Sequence, residues 1–209
     1  RSIGVERSPQ QVRDAIHATW DPFWAEADRT TFPATKAQDA ELEKQMTGAV
    51  LQALGVDADD ATVAAFQEAQ QAWYSRPGVI RPYPEVKEVL STLAEQGYRL
   101  GIVSNWSWNL RDRVAQAGLD GHFELVWASA YAGCNKPHPL IFEQALEQME
   151  LEAGRTMYVG DSYRHDIVGA RAAGLNGVLI VRDGETEGYD CLVIASLYAL
   201  LDLLAPSES

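Results

Sequence analysis

The sequence predicts an α/β fold, in which a parallel sheet covered on both faces by helices is preceded by an all-helical segment. Two patterns carry this expectation. Up to about residue 76 apolar residues recur at the spacing of amphipathic helices, and beyond it short apolar runs alternate with helical stretches. Strands that alternate with helices form parallel sheets whose crossover helices lie on the faces. A chain of 209 residues, 46% of them hydrophobic, is also long enough for one domain with a large insertion or for two small ones.

In the first part, Ser8 and Pro9 signal a helix start, after which Val12, Ile16, Thr19, Trp20 and Phe23 share a face. Pro22 is expected to kink or end that helix. Thr35 opens a second helix through Leu42, Met46, Ala49, Val50 and Leu54, with Gly55 as its C-cap. Asp59 or Asp60 caps a third through Val63, Phe66 and Trp73. The breaker run Ser75-Arg76-Pro77-Gly78, followed by Pro82 and Pro84, marks a domain boundary. Beyond it we expect a helix from Pro84 to Gln96 and a buried strand over 99–103 that stops at Ser104-Asn105. A helix, Gly118 and a second strand over 123–128 follow, then a helix from Ile141 to Met149 and a third strand over 155–159 ending at Gly160-Asp161. A helix from Ile167 to Ala173, a strand over 177–181, a short one over 192–195 and a helix over 197–204 complete the series.

Composition excludes some partners. A formal charge of −13 repels phosphate backbones and anionic lipids, so neither nucleic acid nor a membrane is an expected partner, and an anionic small molecule needs a local positive site. Cys134 and Cys191, the only cysteines, are too few for a disulfide scaffold and lack metal-ligand spacing. They read as reduced thiols of a cytoplasmic protein. No run approaches the roughly 20 apolar residues of a membrane span. The chain opens on Arg1 rather than Met, so a start upstream of it is expected.

In an open parallel sheet the ligand site lies outside the carboxyl ends of the strands. The first strand is followed by Ser104-Asn105, the second by Gly133-Cys134-Asn135-Lys136-Pro137, and the third by Asp161-Ser162 with Asp166 five residues beyond Asp161. A hydroxyl, an ammonium and two carboxylates thus meet at one edge. Phosphoryl transfer through an aspartyl intermediate uses such groups: carboxylates hold a hard Mg²⁺, a lysine neutralises phosphoryl charge, and a hydroxyl and backbone N–H groups orient it. The candidates are Asp161 and Asp166 for the metal, Lys136 for the charge, and Ser104 with the Asn105 amide for the phosphate. Trp106 and Trp108 follow in an exposed loop, either packing on the helical segment or stacking on a substrate, and Trp106 is the substrate-contact candidate. Competing structural roles are a turn at Ser104-Asn105, a surface lysine at 136, a helix cap at Asp161 and a solvent-facing helix position for Asp166 and His165. His138 reads as a helix start, and Trp20, Trp24 and Trp73 as core of the helical segment.

The segments Ile102-Val103-Ser104-Asn105, Asn135-Lys136-Pro137-His138-Pro139-Leu140-Ile141-Phe142 and Val159-Gly160-Asp161-Ser162 with Asp166 resemble, in order and spacing, the second to fourth motifs of the haloacid dehalogenase superfamily. The resemblance implies a Rossmann-like core over 77–209 with a helical cap over 1–76. It implies a Mg²⁺-dependent phosphatase of a small phosphate monoester, with Lys136 and Ser104 catalytic. Its alternatives are a metal-independent 2-haloacid dehalogenase, which the clustered carboxylates disfavour, and a catalytically silent binding protein. The family's first motif, a strand ending in the nucleophilic aspartate with a second aspartate two residues on, is not found. Asp57-Ala58-Asp59 is the only Asp-x-Asp before Pro84 and reads as helix caps. The nucleophile strand belongs between the strands ending at Ser104 and Asp161, so those two are expected to run parallel with a slot between them. Lys136→Met is expected to cut turnover by orders of magnitude and spare the fold. Substrate identity and oligomeric state are left open.

Overall fold

The computed structural model describes residues 6–27, 30–184 and 186–205, the side chains of 21–27 excepted. Three helices come first: α1 (Pro9–Ala27), α2 (Lys36–Ala53) and α3 (Asp60–Tyr74). The caps are those expected. Thr35 accepts from the Gln38 amide, Asp59 Oδ1 accepts from the Thr62 amide at 2.7 Å, and Gly55 closes α2 at a φ of 72°. Helix α1 runs through Pro22 to Ala27, so Pro22 does not end it. Proline removes one i→i−4 bond, and the turns on either side keep theirs. Packing corrects the tryptophan expectation too, because Trp20 and Trp73 lie at the surface, 38% and 50% exposed, while the side chains of Phe23 and Trp24 lie outside the described residues. Among the described residues the buried apolar positions here are Ala15, Val50, Leu51 and Val63.

The second part alternates as the sequence predicts. Helix α4 (Val86–Glu95) leads to β1 (Gly101–Ser104), then α5 (Leu110–Gln116), β2 (Leu125–Ala128), α6 (Ser129–Ala132) and α7 (Pro139–Met149). Strand β3 (Met157–Gly160), α8 (Gly169–Ala172), β4 (Asn176–Ile180), β5 (Leu192–Ile194) and α9 (Ala199–Leu203) follow. All pairings among these strands are parallel, and they form two sheets, β1-β2 and β3-β4-β5, with β1 and β3 not hydrogen-bonded to each other. Alternation of side chains feeds both faces. Val126 and Ala128 pack under α5, whereas Leu125 and Trp127 face α7. On β4, Val178 joins Val89 and Leu93 of α4 and Leu200 of α9. Ile141, Phe142 and Ala170 of α7 and α8 cover the other face. The expected Ile167–Ala173 helix is replaced by a wide π-helical turn, Tyr163–Val168, running into the short α8. Among the described residues no helix is long and apolar enough to cross a membrane.

Candidate active site

The carboxyl ends of β1 and β3 and the loop before α7 bring three of the six candidate residues, Asn105, Lys136 and Asp166, into one hydrogen-bonded group. Asn105 clamps the lysine loop with both ends of its amide: Oδ1 accepts from the Lys136 N–H at 2.7 Å, and Nδ2 donates to the Lys136 carbonyl at 3.0 Å. Lys136 then reaches across the gap between the sheets. Its Nζ donates to Asp166 Oδ1 at 2.6 Å and to the Tyr158 hydroxyl at 3.1 Å, with side chains only 12% and 3% exposed for the lysine and aspartate. The surface-lysine and solvent-face readings of these two residues are therefore wrong. Asp166 Oδ2 accepts from the Ser162 amide at 2.9 Å. The carboxylate lies so close beneath β3 that a Cβ on Gly160 would sit 2.3 Å from its Cγ, which is why glycine stands there. A similar constraint places α8, since a Cβ on Gly169 would meet Pro137 Cα at 2.9 Å. The Lys136-Pro137 peptide is cis.

Tyr158 was not among the sequence candidates. Its ring is buried edge-on against Phe142 at 4.9 Å between centroids, and its hydroxyl donates to the Val103 carbonyl at 2.7 Å, the only direct hydrogen bond from β3 to β1 among the described residues. Burial, reinforced by the Asp166 carboxylate, holds this phenol well above the ordinary tyrosine range. It therefore keeps the one proton that it gives to Val103, leaving its 3.3 Å approach to Asp166 Oδ1 the weaker contact. The signal in the sequence was a polar-tipped residue within an otherwise apolar strand, Met157-Tyr158-Val159.

Asp161 is exposed, and it does not cap the following turn; Ser162 does, accepting from the His165 amide. His165 is half-buried, with its Nδ1 3.1 Å from the Ser162 hydroxyl, and His138 caps α7 by accepting from the Leu140 amide. The Ser104 hydroxyl makes no hydrogen bond among the described residues, so it can accept or donate to a bound group. Trp106 stands 42% exposed while its polar atoms are all held: N–H by Ser129 Oγ, carbonyl by the Ala130 amide, and Nε1 by Asn109 Oδ1 at 2.9 Å. The helical segment reaches the site edge twice. Thr31 bridges Cys134 and the Phe32 amide donates to the Gly133 carbonyl at 2.7 Å, one residue pair before the lysine loop. A Cβ on Gly133 would meet the Phe32 carbonyl at 2.6 Å. Asp39 of α2 accepts from the Trp108 amide at 2.8 Å.

For a hard cation, Asp161 offers an open carboxylate, whereas both oxygens of Asp166 are engaged by Lys136 and Ser162. Among the described residues no cluster of three or more acidic, histidine or cysteine side chains could hold a metal. Mg²⁺ is commonly held by one or two carboxylates with waters and substrate phosphate completing the shell, so this donor set fits that ion and would not fit one needing an all-protein cage.

Residues 30–180 match the family model described as haloacid dehalogenase-like hydrolase. The chain is 34% identical over 160 residues to haloacid dehalogenase-like hydrolase domain-containing protein 3 of Bos taurus, covering 72% of this chain and 64% of that protein. To the glyceraldehyde 3-phosphate phosphatase of Methanothermobacter thermautotrophicus it is 33% identical over 138 residues, 60% of each. The chain thus spans about three fifths of the length of the curated relatives it matches. Among solved structures, a putative HAD-hydrolase, YfnB of Bacillus subtilis bound to magnesium, superposes with a TM-score of 0.73 at 21% identity, over 96% of this chain and 84% of that one. The defluorinating L-2-haloacid dehalogenase Rha0230 gives 0.74 at 20% identity, over 97% and 83%. At these identities the two structures share the fold.

Proposed function

The chain belongs to the haloacid dehalogenase-like hydrolases, and from that premise we propose that it serves a Mg²⁺-dependent phosphatase of small phosphate monoesters working through an aspartyl-phosphate intermediate. The observation that carries this reading is the buried Lys136 ammonium, held by Asp166 at the mouth of the gap between β1 and β3. An acidic protein that is to admit a dianion needs one desolvated cation aimed at it, because a charge in a water-poor site acts far more strongly than one at the surface.

In this proposal Ser104 and the Asn105 amide orient the phosphoryl oxygens, Asn105 also fixing the lysine loop. Lys136 offsets the charge that spreads over those oxygens, and Trp106 faces the leaving group. The catalytic aspartate is proposed to stand on a parallel strand between β1 and β3, within reach of Lys136. The two strands do not pair with each other, the Val103 carbonyl being met by the Tyr158 hydroxyl, and backbone groups left unpaired inside a protein cost about 1–3 kcal/mol each. Asp57 and Asp59 are not that aspartate, since Asp59 caps α3 and Asp57 is exposed. Asp161 would hold Mg²⁺, with Asp166 as second carboxylate should it release one oxygen. When bound, the ion supplies further neutralisation of the transferring phosphoryl group. The helical segment, bonded at Gly133 and Trp108, acts as the cap over the site.

The phosphatase named among the relatives supports this choice over the metal-independent dehalogenase, and so does the exposed Asp161 beside the paired Asp166. The test is hydrolysis of an aryl phosphate and of glyceraldehyde 3-phosphate by the full-length protein. Activity should need a divalent ion, vanish in chelator and fall by orders of magnitude in Asp161→Asn. Undiminished turnover in chelator would reject the Mg²⁺ dependence, and halide release from a 2-haloacid with no phosphate hydrolysis would favour the dehalogenase.

A further inference from the structure

We propose that a second ligand site, separate from the phosphate site, lies where the start of α2 meets the α5 and β2 ends of the core, and that it takes a planar aromatic group bearing one anionic substituent. The cleft there measures about 430 Å³ and is lined by Lys36, Trp108, Arg111, Asp112, Trp127 and Tyr131. None of Ser104, Asn105, Trp106, Lys136, Asp161 or Asp166 contributes to it. Its volume falls in the range of small-molecule sites, roughly 300–1,000 Å³.

The lining argues for the ligand. Three aromatic rings form one wall as an edge-to-face ladder, with Tyr131 centred 5.0 Å from Trp108 and 6.0 Å from Trp127. The Tyr131 hydroxyl is tied to the Trp108 carbonyl at 2.7 Å, which fixes the ladder without covering the cleft. Two cations, Lys36 from α2 and Arg111 from α5, converge here from distant parts of the chain, and among the described residues neither has a salt bridge. Asp112 is the carboxylate of the lining, and behind the wall Asp39 is occupied by the Trp108 amide. In a chain of formal charge −13 with only 17 lysines and arginines, two unpaired cations over an aromatic wall stand out from the surrounding acidic surface. A flat ring edge-on or stacked against the wall, with its carboxylate or phosphate between Lys36 and the Arg111 fork, uses the aromatic wall and both cations. Because Lys36 opens α2 while the other five residues belong to the core, an occupant would also bridge the two parts of the molecule.

Titration with 2-naphthoate, followed by tryptophan fluorescence and calorimetry, tests the site. One saturable site is expected, with affinity weakened at least about tenfold in Lys36→Ala/Arg111→Ala. Cyclohexanecarboxylate, an anion without a ring system, should bind at least about tenfold more weakly, and phenyl phosphate should compete with naphthoate whereas excess inorganic phosphate should not. Lys36 and Arg111 are exposed, so the double variant is expected to fold, and its circular dichroism checks that. Absence of saturable binding, equal binding by the double variant, or displacement by inorganic phosphate would each overturn the proposal. The last result would place the ligand in the phosphate site, and failure of the phosphatase reading would leave this assay unaffected.

Discussion

At the residue scale, burial changes what Lys136 does for the protein. The sequence could place it after a strand and before a proline, but it could not show that Asp166 would fold back under Gly160 to meet it; periodicity puts residue 166 on a helix face, and the turn there is π-helical rather than α. The expectation that Lys136→Met would spare the fold is therefore withdrawn. A buried pair with one member removed leaves the other as an uncompensated charge, at a cost of about 3–5 kcal/mol. Urea unfolding of Lys136→Met should reveal a loss of that order, and Lys136→Met/Asp166→Asn should recover much of it. A single variant as stable as the parent would mean that Asp166 finds its compensation elsewhere. Ser104, Asn105 and Asp161 were more legible, since residues that directly follow strands need no tertiary information to be located.

At the scale of elements, caps and breakers wrote most boundaries into the sequence, while docking of α2 on the loop after β1 left no local trace. On α2, Asp39 accepts from the Trp108 amide, and Glu43, one turn on, lies against Ser107. Partial burial raises both carboxyls above their ordinary values of 3.8 and 4.5. The folded state thus takes up protons before the unfolded state as pH falls from neutral. The contact becomes more stabilising across that interval, and the gain is complete below the unfolded values. Glu85 acts in the opposite sense, because its bond to Arg182 lowers its pKa below 4.5 and its contribution is lost as pH falls through the lowered value. Stability should therefore rise on mild acidification and fall again below about pH 4. Asp39→Asn keeps an acceptor for Trp108 and removes the charge, so thermal melts between pH 7 and 5 should show a shallower rise than in the parent. Identical slopes would exclude Asp39 as a source.

For the whole molecule, the division of the sheet is the feature with most consequence. The alternating pattern foretold parallel strands and their order along the chain, but no local signal says which strands will be neighbours, because adjacency is set by crossovers that the pattern leaves open. In the structure β1 and β3 are joined across the gap by Tyr158, whose hydroxyl occupies the Val103 carbonyl. That carbonyl is what a strand in the gap would claim with a backbone N–H. Tyr158→Phe separates the two situations. In a polypeptide of these 209 residues with the gap open, the substitution strands Val103 and takes one hydrogen bond from Lys136, at a cost of about 1–3 kcal/mol. For a domain of this size that is roughly 2–4 °C in melting temperature per kcal/mol. With a parallel strand in the gap, Val103 is paired by main chain and the hydroxyl is dispensable to it, so the same substitution should cost well under about 1 kcal/mol. Melting Tyr158→Phe in this polypeptide and in the full-length protein gives the comparison. A large loss in both would mean that Tyr158 joins the sheets permanently, and the proposed position of the catalytic aspartate would then have to be given up.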